Sequence, residues 1–388
     1  MARSITLARP FNIVDEEIGR QIVTIKDETV EPIYFPPVFE LSTGGRIDYI
    51  NDRLSFREID DATVYHGSDF VTTGQSVLWK KFFLSQWQKM IPSDAFMFKR
   101  EGKKLYINKP RKVFSVDLGF SMLGVHSHIW THFLMQHFPK LMCLDAVADG
   151  KQTITILHPF YEDAQVSYLF RYFAGLYPKV SFLEIGINQA VFCRKLYYLN
   201  NTSQISDHAT YIAPSDIIVP RFVLDLLKNN LNTLLERQAA EITPERESYP
   251  SKIYIGRRGQ RGLLNPDEVE SFFVSRGFEI IHPERYTLVE KYRLFRHAEI
   301  IAGPGSSGFT NMIFCKPGTR ILLFSNYQRL VDAFSFYKYF GIRLLVLNDQ
   351  DSDQTIHASY TISIDKLARS YAYLLNDVSF NGDYTPTS

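Results

Sequence analysis

The chain has 388 residues, 45% hydrophobic and 22% charged, and its 43 Lys and Arg against 42 Asp and Glu give a formal net charge of +1. That balance excludes capture of nucleic acid or an anionic membrane by bulk charge and leaves only a local basic pocket. At roughly 150 residues per domain the length predicts two or three domains, and 30 Phe with 22 Tyr exclude a disordered chain.

Residues 1–110 read as an irregular region packed on the domain that follows. Strands are expected near Gln21–Ile25 and Arg46–Tyr49, with turns at Pro36-Pro37 and Gly44-Gly45. No apolar stretch precedes the first acidic residues, so no secretory signal is expected. Trp79, Phe82, Phe83, Trp87 and Met90 recur at helical spacing and predict an amphipathic helix over Trp79–Met90, its lysines solvated.

From Val113 strands and helices alternate. Val113–Val116, Thr153–Leu157, Val180–Glu184 and Lys195–Leu199 read as strands, and Ile129–Ala148 and Ala164–Tyr177 as helices, within an α/β domain over 111–240. A long amphipathic helix from Pro220 to Ala240 closes it, and the polar stretch 241–250, with Pro244 and Pro250, reads as a linker. A second α/β domain over 251–350 has strands at Lys252–Gly256, Phe278–His282, Glu299–Ala302, Arg320–Phe324 and Arg343–Leu347. Helices at Asp267–Arg276, Thr287–His297 and Gly308–Cys315 separate them, and a tail over 351–388 carries the helix Ile364–Leu375. Such βα repeats predict parallel sheets, with ligands at the carboxyl ends of the strands in a cleft between the two domains. No run approaches the about 18 apolar residues of a membrane-spanning helix. Cys143, Cys193 and Cys315 are too few and scattered for a disulfide framework or a zinc site. The expectation is a cytoplasmic protein, with peripheral attachment to the inner face of the cytoplasmic membrane left open.

Four features bear on chemistry. Gly303-Pro-Gly-Ser-Ser-Gly308 joins a strand to a helix, where small residues let backbone approach a phosphate. It is rejected as a dinucleotide fingerprint: it follows the third strand of its domain, no acid ends the next strand, and Pro304 sits in the turn. Arg257, Arg258 and Arg261 follow a strand end in a glycine-bearing loop and are placed to clamp an anion. With the glycine loop they would neutralise a departing diphosphate without a metal. In Gly124-Val-His126-Ser-His128-Ile-Trp-Thr-His132, His128 and His132 stand at i, i+4 on an expected helix. They lack a third metal ligand and read as general-base or sugar-binding candidates, whereas His126 and His137 read as half-buried rings satisfied by backbone. Asp349, Asp351 and Asp353 read as a solvated turn rather than a cation site.

These residues fall in an ordered series. Ile253-Tyr-Ile-Gly-Arg257, Arg261, Asn265-Pro-Asp-Glu268, Gly277-Phe278, Glu290, Leu294-Phe295, Ala298, Ile301, Gly303-Pro304, Thr310-Asn311, Phe314 and Pro317-Gly318 follow His132-Phe-Leu134 and Phe138-Pro-Lys-Leu141. The series resembles glycosyltransferase family 61, and the likeness spans about Val113 to Phe324. That resemblance implies a GT-B architecture of two Rossmann-like domains with an interdomain site, a nucleotide-sugar donor on the C-terminal domain, and inversion without a bound metal or other cofactor. Carried over by position, Arg257 and Arg261 would meet the donor diphosphate, with Arg258 of the same loop beside them as a donor-binding candidate. Gly305, Ser306, Ser307, Gly308, Thr310 and Asn311 would lie along the nucleotide, with Glu290 also on the donor side, and His132, with His128, would serve the reaction. The family often has an acid where Gln136 stands, a His at Gly305 and a Gln at Lys291.

The expected function is transfer of a hexose or pentose from a nucleotide-diphosphate donor, a UDP-sugar first, to an oligosaccharide or lipid-linked acceptor in bacterial surface polysaccharide (capsule) synthesis. No nucleic-acid partner is expected. The alternatives are an inactive glycan- or nucleotide-binding homologue, motivated by Gln136, and a nucleotide-sugar epimerase on the same fold.

Overall fold

In the C-terminal half, hydrophobic runs of four or five residues become the strands of a buried parallel sheet. The computed structural model describes residues 10–376, apart from 15–17, 43, 52, 79–97, 102–103, 200–201, 206–216, 245, 258–261, 326–329 and 349–358. The helix expected over Trp79–Met90 lies outside the described residues. The chain divides into two units, Met1–Thr29 with Asp52–Thr202, and Val30–Asn51 with Ser203–Ser388.

Several expectations are corrected here. The division follows Thr202 and does not fall in 241–250. The helical run Arg221–Leu226, Leu227–Asn232 and Thr233–Glu241 packs within the later unit, where Asn232 Nδ2 donates to Ile313 O at 2.9 Å and Arg293 Nη2 to Ala239 O at 2.8 Å. Nor is the first stretch of 110 residues irregular: it holds nine strands among the described residues. The longest, Leu54–Tyr65, keeps one continuous register along Gln189–Leu199, but exposed Asp60 and Asp61, the latter at φ +49°, interrupt its apolar pattern in the middle.

In the N-terminal unit Val180–Glu184, Ile154–His158, Lys112–Ser121 and Gln189–Leu199 lie side by side and parallel, in strand order 3-2-1-4. Leu54–Tyr65 then pairs antiparallel with Gln189–Leu199 and carries the sheet on into the N-terminal strands. Its core gathers Ile59, Leu123, Leu157, Val191 and Leu196. The helix Ala164–Ala174 starts where Asp163 accepts from Gln165 N at 2.8 Å, a side-chain N-cap.

In the C-terminal unit Glu279–Ile281, Lys252–Ile255, Ile300–Pro304, Arg320–Phe324 and Arg343–Leu347 form a five-stranded parallel sheet in order 2-1-3-4-5. One face packs on an aromatic cluster of Tyr254, Phe273, Phe278, Phe324 and Tyr371. The edge strand Arg343–Leu347 is covered by the segment 37–39, where Phe39 N donates to Val346 O at 2.8 Å and Val346 N to Pro37 O at 3.0 Å. An unpaired edge invites intermolecular pairing, so this bridge explains why residues 30–51 belong to the later unit.

Candidate active site

Where neighbouring parallel strands send their chains to opposite sides, a crevice opens beyond their carboxyl ends. In the C-terminal unit that point lies between Lys252–Ile255 and Ile300–Pro304. Gly303 takes φ +150°, and a Cβ there would stand 2.6 Å from Ile255 O, so only glycine lets the two strand ends approach so closely. Arg257, directly past the first strand, donates from Nη1 to Gly305 O at 2.8 Å. The arginine loop and the glycine loop are therefore joined. Beyond Gly305 the chain enters the 3-10 helix Ser307–Phe314, with Ser306 at its N-cap position and Ser307 exposed. Backbone N–H groups of a first helical turn have no intrahelical acceptor and favour anions.

In the N-terminal unit the corresponding point lies between Lys112–Ser121 and Gln189–Leu199, and the histidine segment leaves the first of these strands. The turn over 125–128 delays the helix to Trp130–His132, so His128 sits exposed in the turn and not on a helix face with His132. That corrects the i, i+4 pairing. The ring centroid of His126 lies 5.3 Å from that of His132 and 6.4 Å from that of His128, so the three imidazoles gather in one place. After His132 the helix widens into a π segment, Phe133–His137, before Phe138–Met142. Pro139 has no N–H for the carbonyl of Met135 and its ring crowds that carbonyl, which gives a local reason for the widening.

Within this segment His132 Nδ1 and Gln136 Oε1 lie 2.8 Å apart. An amide oxygen only accepts, so Nδ1 carries the hydrogen and Nε2 of the neutral ring carries the lone pair. The backbone at Gln136 is held by Thr202 Oγ1, which donates to its main-chain carbonyl oxygen at 2.9 Å. Position 136 is thus the partner that orients His132, which residue-type reasoning missed; the i, i+4 spacing was the available signal. Below it, His137 is buried, and burial first, with Lys140 and His132 adding to it, holds its imidazole well below the usual range. Lys140, also buried, pairs with Asp69 at 3.5 Å.

Other expected residues land elsewhere. Glu290 is buried and its carboxylate is occupied: Arg293 Nη1 donates at 2.6 Å and Tyr249 OH at 2.9 and 3.1 Å. Those partners make it an internal anchor for the helix Leu288–His297 and the end of Thr233–Glu241 rather than a donor contact. Thr310 and Asn311 are buried beneath the loop, and Asn311 Nδ2 donates to Gly308 O at 2.9 Å, holding the loop from below. Arg258 and Arg261 lie outside the described residues, as do Asp349, Asp351 and Asp353. Among the described residues no three His, Cys, Asp or Glu side chains converge as a metal-binding set, and no helix is long and apolar enough to cross a membrane. The three cysteines are buried, and burial pushes the thiols of Cys143 and Cys193 up to about 12, which makes them poor nucleophiles.

A family model described as Glycosyltransferase 61 matches residues 130–322. No curated protein matches the chain. The matched stretch opens at the helix that carries His132 and closes in the strand Arg320–Phe324, so it takes in Arg257 and the glycine loop as well. Through these residues the chain belongs to glycosyltransferase family 61, and that membership implies the activity of a glycosyltransferase.

Proposed function

We propose that the protein transfers a sugar, with inversion, from a nucleotide-diphosphate donor, a UDP-sugar first among them, to a glycan acceptor of a bacterial surface polysaccharide. The observation that carries the donor reading is the bond between Arg257 and Gly305, which joins the arginine and glycine loops at the switch point of the C-terminal sheet. A guanidinium has five N–H donors in a planar fork, so Arg257 can brace the loop and still meet a phosphate oxygen. Together with the first-turn amides after Ser306 it supplies positive charge where a leaving diphosphate needs it, and the reading requires no metal. A GT-B arrangement belongs to the same proposal, supported by the parallel strands of each unit, four within the mixed N-terminal sheet and five in the C-terminal sheet.

In this reading the acceptor hydroxyl oxygen forms the new bond to the anomeric carbon. The bond from that carbon to the diphosphate oxygen breaks, and its electron pair leaves with the nucleotide. The hydroxyl proton passes to Nε2 of His132, whose tautomer Gln136 sets. Gln136 bears no charge, so it orients the ring without the extra stabilisation of imidazolium that a carboxylate would add.

Titration calorimetry with UDP in excess chelator tests the donor site. Loss of a charge-assisted contact is worth about 1.5–3 kcal/mol, so Arg257→Ala should weaken UDP by roughly ten- to a hundredfold or more. Binding that appears only with magnesium or manganese, or an Arg257→Ala variant that binds UDP like wild type, overturns it. UDP binding without nucleotide release from any UDP-sugar favours a binding homologue instead.

A further inference from the structure

One residue of the histidine cluster is held in a conformation that its own side chain disfavours. His126 has φ +55°, in the left-handed region. There the Cβ of an L-residue crowds the following carbonyl oxygen, so few residues other than glycine adopt it. Nor can the turn shift easily. A Cβ on neighbouring Gly124 would stand 2.3 Å from His137 Cε1 and 2.8 Å from Asp69 Oδ1, so this backbone sits hard against the buried floor. On the other side His126 O accepts from Ile129 N at 2.8 Å, just before the helix.

Four other described non-glycine residues have positive φ: Glu40, Asp61, Lys179 and Asn188. Lys179 and Asn188 occupy turns that feed the amino ends of Val180–Glu184 and Gln189–Leu199. His126 alone stands past the carboxyl end of a parallel strand, at the switch point of its sheet. Its ring is half-buried and stands against the rings of His128 and His132, not in the hydrophobic core. It also lies ahead of the residues that the family model matches. Strain of this kind persists where the side chain is needed in one place, and it gathers at functional sites.

We infer that His126 is a second sugar-contacting residue, which with His132 grips adjacent hydroxyl groups of the acceptor. Two imidazoles with centroids 5.3 Å apart and planes tilted by 56° stand close enough for one ring nitrogen of each to hydrogen-bond neighbouring hydroxyl groups of one sugar. His132 takes the attacking hydroxyl and His126 holds its neighbour, which selects acceptors that carry both. The inference rests on the glycosyltransferase reading for the role of the sugar, but its test needs neither turnover nor nucleotide.

Saturation-transfer NMR with a panel of methyl glycosides of the common pyranoses reads sugar binding in wild type, His126→Gly and His126→Ala, alongside thermal unfolding. Both variants should raise Kd about three- to tenfold for the glycosides that wild type binds, the effect of one lost hydrogen bond. His126→Gly should unfold at or above the wild-type temperature, by up to about 4 °C, and above His126→Ala, which keeps the strained Cβ. Variants that bind like wild type, a wild type that binds none of the panel, or a Gly variant that unfolds several degrees below wild type would each overturn the assignment. Failure of the donor reading shows separately, as loss of UDP binding in calorimetry while glycoside binding persists.

Discussion

His137 shows how much one residue can decide. It is buried, its Nδ1 has no hydrogen-bond partner among the described residues, and the charge of the buried Lys140 bears on it. Protonating it would place a second positive charge in that space, so the folded protein keeps it neutral far below the ordinary histidine range. The unfolded chain takes up this proton near pH 6.5 and the folded chain does not. Stability is therefore lost as pH falls below about 6.5, by at most about 1.4 kcal/mol per pH unit for this group. Urea unfolding at pH 7.5 and pH 5 should show a smaller loss in His137→Gln than in wild type. Equal losses would assign the acid sensitivity to other groups.

At the scale of elements, the helix Pro266–Val274 is held to the C-terminal sheet by its aromatic face. Phe273 is fully buried and its ring centroid lies 4.8 Å from that of Phe278 and 5.1 Å from that of Tyr254. The rings of Phe324 and Tyr371 complete the cage at 5.9 and 6.1 Å. Truncation there leaves a cavity that large, mutually packed rings cannot collapse to fill. Phe273→Ala should lower stability by about 3–5 kcal/mol, read as a shift of the urea transition of the intact chain. A loss under about 1 kcal/mol would mean that the cluster repacks freely. The turn into the helix Trp130–His132 is shaped by backbone limits at Gly124 and His126.

At the scale of the whole molecule, the first 110 residues are structural parts of both units. Leu54–Tyr65 runs antiparallel to Gln189–Leu199 from Phe56↔Leu199 to Tyr65↔Ala190, and residues 37–39 cover the edge strand of the C-terminal sheet. A chain that begins at residue 111 would expose two strand edges, one of them nearly the whole length of Gln189–Leu199. Exposed long edges pair with other chains. Such a truncation should elute as aggregate in size-exclusion chromatography, whereas the full chain should not. A monodisperse, folded truncation would show that the first 110 residues are dispensable.

The strands of the C-terminal sheet were legible in the sequence because each is a short run of apolar residues bounded by polar ends. Arg320–Phe324 and Arg343–Leu347 appear with the expected limits. The ordered motifs from His132 to Pro317-Gly318 likewise marked the family before any fold was known. Local patterns of this kind follow from the chain's own periodicity and need no partner. The tertiary structure alone decided the rest. Arg257 and Gly305 are 48 residues apart and meet because two parallel strands lie side by side. Glu290 matched the family's series yet lies buried against Arg293 and Tyr249. His126 looked like an ordinary ring until its backbone angle and its two histidine neighbours were seen together. Of the N-terminal strands, those expected near Gln21–Ile25 and Arg46–Tyr49 appear as Arg20–Lys26 and Gly45–Asn51, whereas Leu54–Tyr65 stayed hidden because its long partner Gln189–Leu199 lies far along the chain, and the free energy of such pairing belongs to the register between strands and not to either strand's own sequence.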